Sequence, residues 1–394
     1  MNMKEAVVVS AVRVATGKAP KGMYRTTRPE DLAVLVLKAA LERAPGFDPA
    51  EVDDVIMGCA FPEAEQGLNI GRNAWLQAGL PIEVPGVTVN RFCSSGLQAV
   101  GFAGMQIMSG MGDIMFAGGV ESMSRVPGGG NKPMFGEALM DASPDAFLSM
   151  GLTAENVASR FNVSRDDQNA FAVQSHDRAL AAIASGRFAD EIVPVPVTHY
   201  RPGPDGTSIA ETKVMTVDEG PRPGTSMETL AKLKPVFKKN GSVTAGNSSQ
   251  TSDGAGMTIM MSSERAAKAG LKPLARFVSF ACGGVDPGVM GVGPIVAIPK
   301  ALKLAGLTVD DLDLVELNEA FASQAIYVCR HLGLDPEKVN VNGGAVALGH
   351  PLGATGAKLT ATLLHEMQKR QSKYGCVSMC VAGGIGAAAI FERL

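Results

Sequence analysis

Short apolar runs alternate along this chain with longer stretches whose apolar residues recur every three or four positions. The runs Ala6-Val7-Val8-Val9-Ser10, Val55-Ile56-Met57-Gly58-Cys59, Gly86-Val87-Thr88-Val89 and Asp113-Ile114-Met115-Phe116-Ala117 predict short buried strands. Between them, Asp31 to Ala44 carries Leu32, Ala33, Leu35, Val36, Ala39, Ala40 and Leu41 on one helical face, and Asn69 to Leu80 is a second predicted helix. A third begins after Cys93, with Leu97, Val100, Phe102, Met105 and Met108 at helical spacing. Strands and helices alternating in this way predict a layered α/β fold around a largely parallel central sheet.

The pattern breaks at Glu121. From there to about Ala245 the chain holds Gly128-Gly129-Gly130, proline-containing turns, two polar helices (Thr153 to Phe161 and Arg165 to Ser185) and the charged stretch Glu211 to Lys239. This reads as an excursion inserted into the first half and laid over the site as a lid or binding region. The sheet resumes at Gly256-Met257-Thr258-Ile259-Met260-Met261, and near Pro273 the order begins again. Strands are predicted at Leu314-Val315-Glu316-Leu317 and Val339-Asn340-Val341-Asn342. The glycine-rich run Gly343 to Pro351 follows, then a helix through Leu359, Leu363 and Met367, then a strand Cys376 to Cys380 closed by Gly383-Gly384. The first half likewise closes a strand with Gly118-Gly119. The correspondence predicts an internal duplication, residues 1–270 and 271–394 face to face with an insertion at about 121–245, and Cys93 and His350 at equivalent helix starts.

With 394 residues, 46% hydrophobic and 19% charged, the chain is long and apolar enough for more than one core. A formal charge of -3 gives no general attraction to nucleic acid or anionic membranes. The six cysteines show no paired spacing, which argues against a disulfide framework and a zinc site, so no metal is expected and reduced thiols in the cytoplasm fit best. Met1 to Ser10 enters a strand-like run without the pattern of a signal peptide, and no segment suits a membrane span.

Four stretches invite chemistry. Cys93 sits in a strand-to-helix turn, where the helix dipole would lower a thiol's pKa and favour the thiolate. His350 lies on a glycine-rich loop, a poor place for a packing residue, and Pro351 suits the first helical position. Cys380 ends a strand ahead of Ala382-Gly383-Gly384, where open α/β sheets place catalytic groups. Asn318-Glu319-Ala320-Phe321 opens a helix. Taken singly, each has a plain reading: Cys93 and Cys380 as small core residues, Asn318 as a helix N-cap.

Taken together, Asn90-Arg91-Phe92-Cys93-Ser94-Ser95-Gly96, Gly118-Gly119-Val120-Glu121-Ser122-Met123-Ser124, Asn318-Glu319-Ala320-Phe321-Ala322, Asn342-Gly343-Gly344-Ala345, Gly349-His350-Pro351-Leu352-Gly353-Ala354-Thr355-Gly356 and Cys380 resemble the thiolase family of acyl-CoA C-acyltransferases. The likeness spans residues 4 to 392 with the motifs in family order. It implies two duplicated βαβαβαββ half-domains in an α-β-α-β-α layering, an inserted loop domain, and a homodimer or homotetramer. It also implies ping-pong cleavage of 3-ketoacyl-CoA by CoA, with CoA a substrate and no cofactor bound covalently.

In the family's scheme Cys93 attacks the ketone and carries the acyl chain, Cys380 is the acid in cleavage and the base in condensation, and His350 activates Cys93. Asn318 would hold a water that, with His350, binds the thioester oxygen. Backbone N–H groups of Cys93 and Ala382 would form a second oxyanion hole, although the family usually has Gly where Ala382 stands. Matching the family's CoA loop places Ser249 along the pantetheine arm, Arg222 and Thr229 near the adenine end and Met150 at a pocket-lining position, with Ala245 and Phe321 among the CoA- or substrate-binding residues; a solvated side chain is the plain reading of Arg222.

Biosynthetic members commonly have His where this chain has Ser149. Together with Gln250 to Asp253 and the short 128–148 segment, this leans toward a degradative enzyme. The alternatives are a biosynthetic acetoacetyl-CoA thiolase and a non-catalytic acyl-CoA or lipid-binding subunit; a β-oxidation complex partner is a further candidate. Gly384-x-Gly386-x-x-Ala389 mimics a dinucleotide fingerprint but has no βαβ unit after it, and Gly128 to Lys132 lacks P-loop spacing. A ketoacyl synthase would be expected to have His at position 380.

Overall fold

In the computed structural model, which describes residues 3–394, the first half is built from β1 (Ala6–Val14), α1 (Pro29–Glu42), β2 (Asp54–Gly58), α2 (Ile70–Gln77), β3 (Gly86–Val89), α3 (Ser95–Met108) and β4 (Ile114–Ser122). The excursion contributes helices α4 (Met150–Arg160) and α5 (Arg165–Ala184) and a two-stranded ribbon, β5 (Val195–Pro202) with β6 (Ser208–Met215), before β7 (Ser252–Ser262) returns to the sheet. The second half comprises β8 (Ala275–Gly284), α6 (Pro294–Ala305), β9 (Leu314–Leu317), α7 (Ala322–Leu332), α8 (Thr355–Arg370), β10 (Tyr374–Val381) and β11 (Ile385–Arg393).

The strands run in the order β9-β10-β11-β8-β1-β7-β4-β2-β3, and β1 joins β8 through Val7 and Val8 opposite Arg276 and Ala275. On either side of that seam the order repeats in mirror sense, so β1, β7, β4 and β2 correspond to β8, β11, β10 and β9. Helices α3 and α8 pack against the inner faces of both halves, with Leu97, Val100, Ile107, Leu359, Leu363 and Met367 in one core with Val8, Met115, Met260, Val377 and Phe391. The outer face of the first half is covered by α1 and α2, that of the second by α6 and α7. The result is five layers, helix, sheet, helix, sheet, helix. Because both faces of each sheet are covered, β1 is apolar at almost every position. Val7, Val12 and Val14 face the outer core and Ala6, Val8 and Ala11 the inner one.

The sheet is mixed and not largely parallel: among the described residues the parallel pairs are β9 with β10, β4 with β2, β2 with β3, and the two-residue strand Ile192–Val193 with β1. The three-residue turn between β10 and β11 leaves no room for the crossover that parallel neighbours need. β4 does not stop at Gly118-Gly119 but continues to Ser122, paired with Asp253. β3 is an edge strand, with Val87 38% exposed, and not a buried one. The strand expected at 339–342 is reduced to one bridge, Val315 to Val339. Asn340 turns left-handed (φ 47°), and its amide takes over the pairing, accepting from Leu317 N and donating to Leu317 O, both at 2.8 Å.

Cys93 and His350 both precede the inner helices, but not at equivalent positions. Single 3-10 turns, Phe92–Ser94 and Leu352–Ala354, lead into α3 and α8, so the counterpart of Cys93 is Gly353. Pro351 precedes this turn and is not the first residue of a helix. The excursion packs over the loops that precede α7 and α8, and it touches the sheet through Ile192–Val193, paired with β1.

The starts of α3 and α8 touch through glycine. A β-carbon on Gly356 would lie 2.1 Å from Leu97 N, and one on Gly96 would lie 2.8 Å from Gly353 O and Ala357 N. Gly356→Ala should therefore lower stability by about 1–3 kcal/mol through overpacking, read as a lower urea midpoint with an unchanged m-value. An unchanged midpoint would show that the two helices are free to separate.

Candidate active site

The turn carrying Cys93 is held by short side chains. Asn90 Oδ1 accepts from Phe92 N (2.7 Å), Ser95 Oγ accepts from Arg91 N (2.9 Å) and donates to Phe92 O (2.6 Å). This network sustains a positive φ of 42° at Phe92, a conformation that an aromatic residue adopts only under such constraint. Its effect is to place the Cys93 sulfur within reach of two backbone donors, its own N–H and that of Ala382. Cys93 is buried, and burial pushes its thiol up to about 12, outweighing the two N–H groups that pull it down. The expected thiolate is thus corrected: at rest the group is a thiol.

Cys380 ends β10 beside Cys93, and burial first, then the neighbouring sulfur, pushes its thiol upward as well. The hairpin turn after it puts its left-handed residues at Gly383 (φ 79°) and Gly384 (φ 81°), so Ala382 keeps an ordinary backbone and its N–H stays available. Around Cys380 lie Ala154, Val243, Met290, Ala320 and Phe321, with Met150 against them.

His350 is buried, and its tautomer follows from its neighbours. The Thr355 hydroxyl donates to Pro351 O (3.1 Å), so it accepts at 2.6 Å from His350 Nδ1–H. Nε2 is then the bare, basic nitrogen, and Asn318 Nδ2 approaches it at 3.4 Å. Burial, and next the charge of Lys358, lowers the imidazole to about 3, so it is neutral. Among the described residues no hydrogen bond joins His350 to Cys93. Asn318 is not an N-cap, since α7 begins four residues later; its Oδ1 is buried and takes no hydrogen bond from the protein.

The loop 244–251 runs beside these residues. Ser249 N donates to Ala320 O (3.0 Å), Ala322 N donates to Asn247 O (2.9 Å), and Thr251 bridges His350. Ser249 and Met150 are half-buried and Ala245 is exposed at the mouth, while the Phe237 ring meets Phe321 edge-on at 6.0 Å. Arg222 and Thr229 stand apart on the exposed segment beyond: Arg222 N donates to His176 Nδ1, and Thr229 spends its hydroxyl capping the short helix Met227–Ala231. A cavity of about 360 Å³ between α5 and α7, lined by Phe171, Arg178 and Cys329, holds none of the four catalytic candidates.

Glu121 was legible only as part of a motif, yet it staples both halves beneath the site. Its carboxylate accepts from Ala60 N (2.7 Å) and Gln66 Nε2 (2.5 Å) on one side and from Gly353 N (2.8 Å) on the other. A lone acid at the end of an apolar strand was the available signal.

The lowered imidazole predicts a pH effect. His350 titrates near 3 when folded and near 6.5 when free, so the unfolded chain binds a proton that the native one refuses, and this stability is lost as pH falls from about 6.5. Buried carboxyls pushed upward, such as Glu316 and Glu319, act in the opposite sense, so the ring must be isolated by comparison. His350→Asn should lose less unfolding free energy than the parent between pH 7 and 5 in urea titrations. An equal loss would mean that the ring is solvated.

Comparison with known proteins agrees with this architecture. The thiolase N-terminal domain family matches residues 6–264 and the thiolase C-terminal domain family residues 271–393. The chain is 56% identical to the 3-ketoacyl-CoA thiolase of Bacillus subtilis (strain 168), covering 99% of this chain and 100% of the relative. The crystal structure of the Bacillus anthracis acetyl-CoA acetyltransferase superposes with a TM-score of 0.90 at 42% identity, and that of human mitochondrial 3-ketoacyl-CoA thiolase with 0.88 at 40%, each covering 100% of both chains. The chain belongs to the thiolase family.

Proposed function

We propose that this thiolase cleaves 3-ketoacyl-CoA with CoA, giving acetyl-CoA and an acyl-CoA shortened by two carbons, in the degradative direction. One observation carries the reading: two thiols side by side, Cys93 with two N–H donors trained on its sulfur, and a neutral imidazole with a bare nitrogen in the adjoining loop. The Cys93 sulfur attacks the ketone carbon while its proton passes to His350 Nε2. The oxyanion is met by the N–H groups of Cys93 and Ala382. The carbon–carbon bond breaks, the electron pair leaves as the acetyl-CoA enolate, and the Cys380 S–H protonates it. CoA then attacks the Cys93 thioester, its thiol proton passing to Cys380, and the Cys93 sulfur leaves as it takes back the proton held on His350 Nε2. Both thiols rest protonated, so no thiolate is needed before substrate arrives; Cys380 is a thiolate only between protonating the enolate and taking the proton of CoA. Asn318 Oδ1, without a protein partner, suits the water that the family reading assigns to it.

The residues proposed for CoA are Ala245 and Ser249 along the pantetheine arm, with Arg222 and Thr229 at the adenine end, where both are exposed. Met150 and Phe321, in one apolar cluster with Cys380, are proposed to line the acyl pocket. The halves are proposed to divide at residues 270 and 271. A homodimer or homotetramer is supported by edge strand β3 and its exposed neighbours Phe102, Met105 and Met111. Among the described residues no helix is long and apolar enough to cross a membrane. Adjacent free thiols favour a reducing compartment, in keeping with a cytoplasmic enzyme. A second reading, synthesis of acetoacetyl-CoA, is favoured by the likeness to the acetyl-CoA acetyltransferase; specific activities along an acyl-length series separate the two.

Cys93→Ala should form no acyl-enzyme detectable by mass spectrometry and lose at least about 10³-fold in thiolysis. Cys380→Ser should still take an acetyl group from acetyl-CoA onto Cys93 but show no ketoacyl cleavage by thioester absorbance. A trapped acyl group on the Cys93→Ala protein would reassign the nucleophile.

A further inference from the structure

Immediately before His350 the chain makes a conformation open only to glycine: Gly349 has φ 82° and ψ 161°, and a β-carbon there would lie 2.3 Å from Ser252 Oγ. This turn leaves the carbonyls of Leu348 and Gly349 pointing into the interior. Both are satisfied by one group, the ammonium of Lys358, which donates to Leu348 O at 2.9 Å and to Gly349 O at 3.0 Å. Lys358 is 3% exposed, and among the described residues no carboxylate lies within salt-bridge distance of it. Its charge is balanced only from further off, by Asp218 and Glu191, which bind Arg13 directly, and by Glu316. A buried ammonium whose nearest partners are neutral is costly to keep. Its placement one helical turn after Thr355, the hydroxyl that fixes the His350 ring, ties both ends of the loop to α8.

We propose that Lys358 is a positioning residue for the thiolase reaction: its ammonium clamps the 348–349 turn through the Leu348 and Gly349 carbonyls and so fixes His350. The proposal rests on His350 being the proton acceptor for Cys93. The clamp completes a three-sided hold on the loop, since His350 N donates to Gln250 O (3.0 Å) and its Nδ1 is fixed by Thr355. The titratable groups around this loop include Lys358 on α8, Asp253 on β7, Glu121 on β4, Cys93 ahead of α3, Cys380 on β10, Glu316 on β9, Glu319, which accepts from Val346 N, and Asp218, which accepts from Thr16 N. Of these, Lys358 is the charge that acts on the ring. Like charge disfavours the imidazolium, so its removal should make the ring easier to protonate.

The test compares the parent with Lys358→Met, which removes donors and charge, and Lys358→Gln, which keeps an N–H donor and removes only the charge. Thiolysis kinetics are measured together with the pH dependence of Cys93 alkylation by iodoacetamide. Lys358→Met should lower kcat about 10- to 100-fold with KM changed less than about threefold. In both variants the acid limb of alkylation should move to higher pH by about one unit, with Lys358→Gln retaining more kcat. Should Lys358→Met fail to fold, the shift in Lys358→Gln decides. A folded Lys358→Gln with the parent's pH profile, or a Lys358→Met that melts earlier but keeps kcat and profile, overturns the proposal. His350→Asn is the reference: if it alkylates like the parent, it is the assignment of the imidazole that fails.

Discussion

The architecture depends on how closely α3 and α8 approach between the two sheets. Their first turns meet through glycine, backbone against backbone, and each helix carries ahead of it a loop with one half of the chemistry. A β-carbon on Gly356 would sit 2.1 Å from Leu97 N and push the two helix starts apart, and catalytic geometry tolerates little such movement. Glu121 works at the same junction from below. It gathers amides from the loop after β2 and from Gly353, so one carboxylate keeps the layers from sliding past each other.

Burial then sets the chemical character of what the crossing brings together. Water is largely excluded around Cys93, Cys380, His350 and Asn318, so the charged forms of the first three are disfavoured and fixed dipoles count for more. Donors aimed in advance at the place where charge develops, such as the N–H groups of Cys93 and Ala382, need no reorganisation when it appears. In the proposed reaction the site therefore draws protons from groups that rest neutral and stabilises an oxyanion that arises only during turnover.

Much of this was legible in the sequence. The apolar runs and helical spacings located the main elements because each strand is buried on both faces and each inner helix is apolar enough to show its period. The motifs containing Cys93, Asn318, His350 and Cys380 pointed to four loops that the fold brings into one region. Strand direction was not legible, because apolar pattern records burial and not orientation; the antiparallel return of β11 follows from its three-residue turn, whereas β7 returns antiparallel to β4 only after the long excursion. The 339–342 strand was lost to one left-handed Asn whose amide imitates a backbone. The lowered thiol pKa was misjudged because a helix-end dipole was weighed without the burial that outweighs it. Glu121 and Lys358 escaped a role because a charge inside an apolar segment announces itself as an exception but not what it holds.

The protonated resting state of Cys93 has a consequence for the enzyme's durability. Oxidation by peroxide and capture by stray electrophiles proceed through the thiolate, so their rates follow its small equilibrium population. A sulfur that yields its proton only as a polarised carbonyl arrives is shielded from such damage between turnovers. If Cys93 is the nucleophile, the burial that makes its deprotonation difficult is also what would slow such side reactions between turnovers.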